Sequence, residues 1–253
     1  MMSQIDKAKL FRALHVPHAP IILCNVWDAG SAKAVVRAGA KAVATSSWSV
    51  AAAQGYADGE ELPLDDALAV VGRIVPCVDC PVTVDFEGGY AADPDTVGQN
   101  TRRLLSLGVI GLNFEDQIVN ARGLYSIADQ AKRLRAVRDA ADALGIPAFI
   151  NARTDMFLKA APDVDHASLV DEAVARAAAY AKAGADGFFV PGLTDKTLIR
   201  TLCRLVALPV NVMAADPQGN GDRAGLGVSR ISFGPDPYIK LTALLEREAG
   251  ACV

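Results

Sequence analysis

A short unit repeats along the whole chain and restricts its fold more than any other feature. In each unit a helix-like segment ends in small residues and glycine, a short and mostly apolar run follows, and a polar cluster comes next. Leu107-Gly108-Val109 leading into Ile110-Gly111-Leu112-Asn113-Phe114 is one example. Such apolar runs are typical of parallel strands covered on both faces, and glycine is common just after a helix. The unit therefore predicts alternating strands and helices.

Counting these apolar runs gives eight strands. They lie at residues 21–27, 42–46, 82–86, 111–115, 148–152, 187–191, 209–213 and 230–233. Apolar residues at three-to-four spacing predict helices over 129–144 and 165–182, whereas residues 214–227 leave little room for a helix. Eight such units predict an α/β fold with a single (β/α)8 TIM barrel over residues 1–253, ending in a short C-terminal helix. An open, doubly wound parallel sheet is the alternative.

The composition limits the classes of function. Of the 253 residues, 51% are hydrophobic and 21% are charged, which excludes a disordered chain. The net charge of −4 provides no global basic field for nucleic acid or an anionic membrane. The five cysteines are an odd number, no apolar run approaches the roughly 20 residues of a transmembrane helix, and the N-terminus has no apolar signal core. We therefore expect a cytoplasmic protein that binds a small molecule, with no nucleic acid or membrane partner.

Acidic side chains cluster where the predicted strands end, the edge at which barrels carry their active sites. Asp85 and Glu87 are two residues apart at the end of the third strand, so we expect them to point to the same side. Glu115 ends the next strand. Three converging carboxylates repel one another unless they are protonated or bind a cation, and Mg²⁺ or Mn²⁺ accepts such oxygen ligands. The alternative is that they are solvated acids that cap helix N-termini.

One arginine, Arg153, follows the fifth predicted strand at the same edge. Its guanidinium group is suited to hold a substrate carboxylate or phosphonate through two parallel hydrogen bonds. A salt bridge to one of the neighbouring acids is the alternative. The three histidines and the Cys77–Cys80 pair lie away from the strand ends, and the glycine-rich run 219–225 is interpreted as a flexible loop. We assign no chemistry to them.

Six short motifs follow one another across about residues 10–240, nearly the whole chain. They are Cys24-Asn25-Val26-Trp27-Asp28-Ala29-Gly30-Ser31-Ala32, Thr45-Ser46-Ser47-Trp48-Ser49-Val50, Gly55-Tyr56-Ala57-Asp58-Gly59-Glu60, Val84-Asp85-Phe86-Glu87-Gly88-Gly89-Tyr90, Asn113-Phe114-Glu115-Asp116-Gln117 and Asn151-Ala152-Arg153-Thr154-Asp155. Each motif is weak, but in this order they resemble the isocitrate lyase / phosphoenolpyruvate mutase superfamily. The resemblance implies a TIM barrel in which a metal binds a 2-oxo or 2-hydroxy carboxylate and stabilises an enolate.

The resemblance also implies roles for individual residues. Asp85 would ligate Mg²⁺ directly, and Asp58, Glu87 and Glu115 would hold it, partly through water; Mn²⁺ is the alternative metal. Ser46, Ser47 and Trp48 would offer donors to the substrate carboxylate, and Arg153 would pair with the far anionic group. The implied substrate-binding residues are Trp27, Ser46, Ser47, Trp48, Asn151 and Arg153. The implied catalytic residues are Asp58, Glu115 and Arg153.

Residues 116–125 depart from the family pattern. The lyase branch carries a Lys-Lys-Cys-Gly signature here, whereas this segment has neither cysteine nor lysine. The mutase and phosphonopyruvate hydrolase branches carry a longer gating loop with Lys and Asn, and the polar candidates here are Asn120 and Arg122. Glu87 also replaces the usual Asp. Decarboxylase-like members need no cysteine acid, so we expect Mg²⁺-dependent cleavage of a C–C bond in a small 2-oxo carboxylate through an enolate, as in oxaloacetate decarboxylation.

Two other functions stay open at this point. One is C–P bond chemistry of the phosphonopyruvate hydrolase or phosphoenolpyruvate mutase type. The other is a catalytically silent barrel that binds a carboxylate. Residues 117–125 are expected to form a mobile lid, because they are polar and follow a predicted metal acid.

The C-terminal tail bears on assembly. Family members are commonly tetramers in which pairs of subunits exchange a C-terminal helix. Here the tail leaves room for one helix over 236–249, and we expect its own barrel to bury its apolar stripe. The stripe consists of Tyr238, Leu241, Leu244 and Leu245. We therefore expect a homo-oligomer, a dimer or a tetramer, held by barrel faces rather than by exchange.

Overall fold

The computed structural model describes residues 2–119, 121 and 123–252, which form a barrel of parallel strands surrounded by helices. The strands are β1 (Ile21–Leu23), β2 (Asn25–Val26), β3 (Val43–Thr45), β4 (Val82–Asp85), β5 (Gly111–Glu115), β6 (Phe149–Arg153), β7 (Gly187–Phe189), β8 (Val210–Met213) and β9 (Arg230–Ser232). Their order in the sheet is β1-β9-β8-β7-β6-β5-β4-β3-β2. β1 and β2 are halves of one stretch around Cys24, and they pair with β9 and β3. The sheet therefore closes, which confirms the TIM barrel and excludes the open, doubly wound sheet.

Helices connect the strands and cover the outside of the barrel. They are α1 (Gln4–Ala13), α2 (Ala29–Arg37), α3 (Ser47–Ala53), α4 (Leu64–Ile74), α5 (Pro94–Leu105), α6 (Ile127–Ala143), α7 (Val170–Ala183), α8 (Lys196–Leu205), α9 (Asn220–Gly225) and α10 (Asp236–Gly250). None of the helices in the described part of the chain combines the length and hydrophobicity needed to cross a membrane.

Two helix predictions need correction. The helix predicted over 165–182 begins at Val170, because residues His166–Leu169 form a 3-10 turn capped by the Asp165 side chain. The region 214–227, predicted to be a loop, contains the six-residue helix α9. An ion pair of 2.7 Å between Lys196 Nζ and Asp222 Oδ2 joins α9 to the start of α8. Lys196 lies 26 residues before Asp222, so the sequence of residues 214–227 by itself gives no sign of this contact.

Helix α1 closes the amino end of the barrel. Phe11 is fully buried and meets the ring of Phe149 edge-on, with 5.5 Å between the ring centroids. Inside the barrel, Gly187 leaves room for these interior side chains, because a Cβ there would lie 2.6 Å from Asn151 Oδ1. Side chains therefore fill the barrel at the amino ends of the strands. The accessible opening lies at the carboxyl ends.

The C-terminal helix does not pack as the sequence suggested. Tyr238 contacts the rings of Trp27 and Trp48, at centroid distances of 5.1 and 5.9 Å. Beyond it, Leu241 and Leu245 are 51% and 67% exposed, and α10 contains no buried residue. The expectation that its own barrel buries the apolar stripe is therefore wrong past Tyr238, because Leu241, Leu244 and Leu245 are all exposed.

Candidate active site

A cavity of about 180 Å³ opens at the carboxyl ends of the strands. Its polar lining includes six residues from four units of the barrel, Ser46, Ser47, Asp58, Asp85, Asn113 and Arg153. Another part of the wall is apolar and consists of Trp48, Leu158, Phe189, Pro191, Met213 and Pro235. Six predicted site residues therefore share one cavity although they span more than a hundred positions of sequence: Ser46, Ser47, Trp48, Asp58, Asp85 and Arg153.

Asp85, the last residue of β4, is held by its neighbours on both sides. Ser47 Oγ donates to its Oδ2 over 3.1 Å, and Asn113 Nδ2 lies 3.3 Å from its Oδ1. The Asp85 N–H donates to Thr45 Oγ1 over 3.0 Å. Asn113 of β5 pairs with Asp85 in the register of the two strands, and Thr45 ends β3 on the other side, so neighbouring units converge on this residue.

Arg153, the last residue of β6, is surrounded by carboxylates. Its Nε and Nη2 donate to the two oxygens of Asp155 over 2.6 and 3.0 Å. Its Nη1 lies 3.0 Å from Glu115 Oε2 and 3.5 Å from Asp85 Oδ2. The salt-bridge alternative is thus what the structure shows. The guanidinium still lines the cavity, so binding of a substrate anion stays a prediction.

Glu87 does not extend the strand as expected. Strand β4 ends at Asp85, and the Glu87 backbone has a left-handed φ of 49°, so the alternation of a strand does not place its side chain. Its Oε2 accepts a hydrogen bond from the Glu60 N–H over 2.8 Å. Glu87 stays close enough to Asp58 and Asp85 for their charges to raise its pKa.

Several carboxyl groups share the mouth with the guanidinium group of Arg153, and the pKa values of three of them are raised. Burial, assisted by the charges of Asp58 and Asp85, raises the pKa of Glu87 to about 8. Burial also raises the pKa of Glu115 well above its usual range, although Arg153 opposes this shift. Desolvation of its carboxyl group and the neighbouring Asp85 raise the pKa of Asp58. Burial is the largest cause of each shift, and neighbouring carboxylates add to it.

Two predicted substrate-binding residues lie outside the cavity lining. Asn151 is buried below the mouth, where its Nδ2 donates to Asn113 Oδ1 over 2.9 Å. Trp27 packs against Tyr238 of α10. Asn151 therefore contacts a cavity-lining residue, whereas Trp27 reaches the lining residue Trp48 only through Tyr238. Direct contact with a substrate stays a prediction for both.

Comparison with known proteins agrees with this geometry. The family model described as phosphoenolpyruvate phosphomutase matches residues 11–253. The chain belongs to the phosphoenolpyruvate mutase / isocitrate lyase superfamily. It is 32% identical over 228 residues to an uncharacterised protein of Mycobacterium tuberculosis (strain ATCC 25618 / H37Rv), covering 90% of this chain and 83% of that protein. It is also 29% identical to the 2-methylisocitrate lyase of Escherichia coli K12, with 83% and 70% of the two chains covered.

A solved structure extends this similarity. The chain superposes with a TM-score of 0.96 on a candidate phosphonomutase from Burkholderia cenocepacia J2315, with 45% sequence identity. The match covers 99% of this chain and 100% of the other. Relatives of this superfamily member are thus described as both lyases and phosphomutases.

The donor set of this superfamily member suits a hard divalent cation. Among the residues that the structure describes, no three Asp, Glu, His or Cys side chains form a ready-made metal cluster. Mg²⁺, however, usually keeps several waters and takes one or two carboxylates directly. Asp85 and Asp58 both line the cavity, and the guanidinium group of Arg153 is shared among three carboxylates. These oxygen donors therefore fit Mg²⁺ or Mn²⁺.

The segment proposed as a lid is anchored at both ends. Gln117 and Leu124 form an antiparallel bridge, and the Tyr125 N–H donates to the Asp116 carbonyl over 2.8 Å. Its polar candidates Asn120 and Arg122 lie outside the described residues. Mobility of this segment stays a prediction.

Several supporting residues were missed by sequence reasoning. Asn113 and Asp155 contact Asp85 and Arg153 directly. Behind them lies a buried group of Asp116, Arg176 and Tyr180, in which Asp116 Oδ2 accepts from Arg176 Nη1 over 3.0 Å and from Tyr180 Oη over 2.8 Å. Asn113 and Asp155 belong to two of the six motifs, so their nearness to the predicted strand ends was the available signal. Nothing in the sequence indicated a role for Arg176 and Tyr180, because both fit the regular helical pattern of α7.

Proposed function

We propose that this chain is a Mg²⁺-dependent lyase that cleaves a C–C bond of a small 2-oxo carboxylate through an enolate, as an oxaloacetate decarboxylase does. The observation that carries the proposal is the division of the cavity into an acidic side suited to a metal and an apolar wall. The acidic side is represented by Asp58 and Asp85, and the wall by Leu158, Phe189 and Met213. A lyase of this kind needs both surfaces.

The proposed roles follow from position. Bound Mg²⁺ would supply Lewis-acid stabilisation of the enolate oxygen. Asp85 would hold the metal, while Ser47 and Asn113 keep its carboxylate oriented. Glu87 and Glu115 would contribute through water. Donors of Ser46, Ser47 and Trp48 at the start of α3 would bind the substrate carboxylate.

The apolar wall suits the departure of carbon dioxide. A carboxylate placed against Leu158, Phe189 and Met213 loses hydration, and this disfavours its charge relative to neutral carbon dioxide. The electron pair of the broken C–C bond stays on the pyruvate fragment as the enolate. Arg153, held rigidly by Asp155, presents a fixed positive charge to that fragment. Asp58 is exposed at the mouth, so we assign it delivery of the proton to the enolate carbon.

C–P chemistry on phosphonopyruvate is the second candidate. It is supported by the phosphoenolpyruvate phosphomutase description of the family model and by the similarity to a candidate phosphonomutase. A phosphonate dianion needs strong cationic contacts, and Arg153 is already shared among three carboxylates. This sharing is why we place C–C cleavage first.

An assay of pyruvate release separates these functions. We expect release from oxaloacetate that requires Mg²⁺ and is lost in EDTA, with little release from phosphonopyruvate. Because free Mg²⁺ itself promotes oxaloacetate decay, the blank should contain the Asp85→Ala protein at equal concentration. Release from phosphonopyruvate alone would favour C–P chemistry, and no turnover with intact Mg²⁺ binding would favour a silent carboxylate-binding barrel.

We also propose that the chain forms a homo-oligomer, and that it is cytoplasmic. The support for an oligomer is the exposed apolar face of α10, which includes Leu241, Leu244 and Leu245. An assembly held by barrel faces rather than by helix exchange stays a prediction, and burial of this face against another copy would add to those contacts. Light scattering at micromolar concentration should give a mass of at least a dimer, and replacing Leu241 and Leu245 by serine should lower it. A monomeric wild-type protein would contradict this proposal.

A further inference from the structure

Two loops at the mouth of the barrel are tied together by a pair of crossed hydrogen bonds. The Glu60 N–H donates to Glu87 Oε2, and the Tyr90 N–H donates to Glu60 Oε1, each over 2.8 Å. One loop carries Asp58, two residues before Glu60, and the other follows Asp85. We call Glu60, Glu87 and Tyr90 the crossed latch.

The backbone of the crossed latch is strained. Glu60, Glu87 and Tyr90 have φ angles of 60°, 49° and 57°. In the part of the chain that the structure describes, the other non-glycine residue with positive φ is His18. A left-handed residue other than glycine costs about 1–2 kcal/mol, and such strain persists where the surroundings hold it in place. The crossed hydrogen bonds involve all three of these residues and are among the contacts that hold this backbone.

The crossed latch also reaches the segment 117–125. Gly88, inside the latched loop, is closely surrounded, because a Cβ there would lie 3.0 Å from Glu60 Oε1 and 3.4 Å from Val119 Cγ2. Arg133 of α6 donates to the Gly88 and Ala91 carbonyls. Its guanidinium lies 4.0 Å from the ring centroid of Tyr125. The same small region therefore contacts both acid-bearing loops and the proposed lid.

We propose that Glu60 is a positioning residue, which through the crossed latch sets the place of Asp58 and Glu87 around the metal and forms part of the seat of segment 117–125. This inference rests on the proposed function for its metal. It assigns Glu60 no contact with metal or substrate. What Glu60 supplies is a carboxylate oxygen that accepts the Tyr90 N–H, so an uncharged acceptor of the same shape should replace it.

The test compares Glu60→Ala with Glu60→Gln, and uses Glu61→Ala, a change at the exposed neighbouring glutamate, as a matched control. Mg²⁺ affinity is measured by calorimetry. Glu60→Ala should bind Mg²⁺ roughly 10- to 100-fold more weakly, the usual cost of losing a residue that orients a metal ligand. Glu60→Gln keeps an acceptor oxygen and should stay within about threefold of wild type, as should Glu61→Ala.

Hydrogen exchange of the metal-free proteins provides a second readout. In Glu60→Ala, the amide of Tyr90 should exchange faster, whereas Glu60→Gln should keep its protection. Equal loss of Mg²⁺ affinity in both Glu60 variants would show that Glu60 acts through its charge and would overturn the inference. Unchanged exchange at Tyr90 in Glu60→Ala would overturn it as well. Failure of the wild-type protein to bind Mg²⁺ would instead remove the proposed function, with the exchange result still deciding whether the latch exists.

Discussion

Replacing Asp85 by alanine should abolish Mg²⁺ binding and, with it, turnover. Asp85 lies on the cavity at the end of β4, with its two carboxylate oxygens oriented by Ser47 and Asn113. Removing a direct carboxylate ligand should cost more than the roughly 10- to 100-fold that is lost with an orienting residue. Calorimetry should therefore detect no Mg²⁺ binding at concentrations that saturate the wild-type protein.

The Asp85→Ala variant should still fold. The substitution removes one of the negative charges that raise the pKa of Glu87, so it relieves repulsion in the metal-free mouth. Thermal unfolding without metal should stay close to that of the wild type. Asp95→Ala, which removes an exposed acid from α5, is the matched control and should bind Mg²⁺ normally. Unchanged Mg²⁺ affinity in Asp85→Ala would contradict the assignment of Asp85 as a metal ligand.

Replacing Arg176 by methionine should destabilise the protein by about 3–5 kcal/mol, because it leaves a buried carboxylate without its partner. Asp116 has no exposed surface, and its Oδ2 accepts from Arg176 Nη1 over 3.0 Å. Burial already raises the pKa of Asp116, and Arg176 opposes that shift. For a chain of this size the melting temperature should fall by about 6–20 °C.

The same substitution should disturb the candidate site. Asp116 Oδ1 accepts the Asp155 N–H over 3.0 Å, and Asp155 in turn orients Arg153. The matched control is Lys196→Met, which breaks an ion pair whose two side chains are each 66% exposed. That change should cost less than about 1 kcal/mol. Equal melting temperatures for Arg176→Met and Lys196→Met would contradict the importance of the buried pair.

The barrel was predictable because its signal is local. Each unit carries its own helix end, apolar run and polar cluster, as in residues 107–117, so eight repeats predict eight parallel strands. Parallel strands end at one edge, and this rule brings Asp85, Glu115 and Arg153 together without any knowledge of packing. The family resemblance added Asp58 and Ser47, which also line the cavity.

What the repeats leave undetermined is where the charged groups at that edge point. Glu87 turns toward Glu60 because its backbone is left-handed, and Arg153 is held by Asp155 and Glu115. The partner of Glu87 is 27 residues away in sequence, and the partner of Arg153, Asp155, lies beyond the end of β6. Periodicity describes which face of an element is apolar, so it carries no information about such contacts.

The same limit applies to the supports behind the site and to the tail. Arg176 lies 60 residues from Asp116, and helix packing alone joins them. The stripe on α10 was visible as an apolar pattern, but Tyr238 packs on Trp27 whereas Leu241, Leu244 and Leu245 are exposed. An amphipathic pattern shows that a face favours burial, whereas the direction of the preceding turn decides what, if anything, in the same chain can cover it.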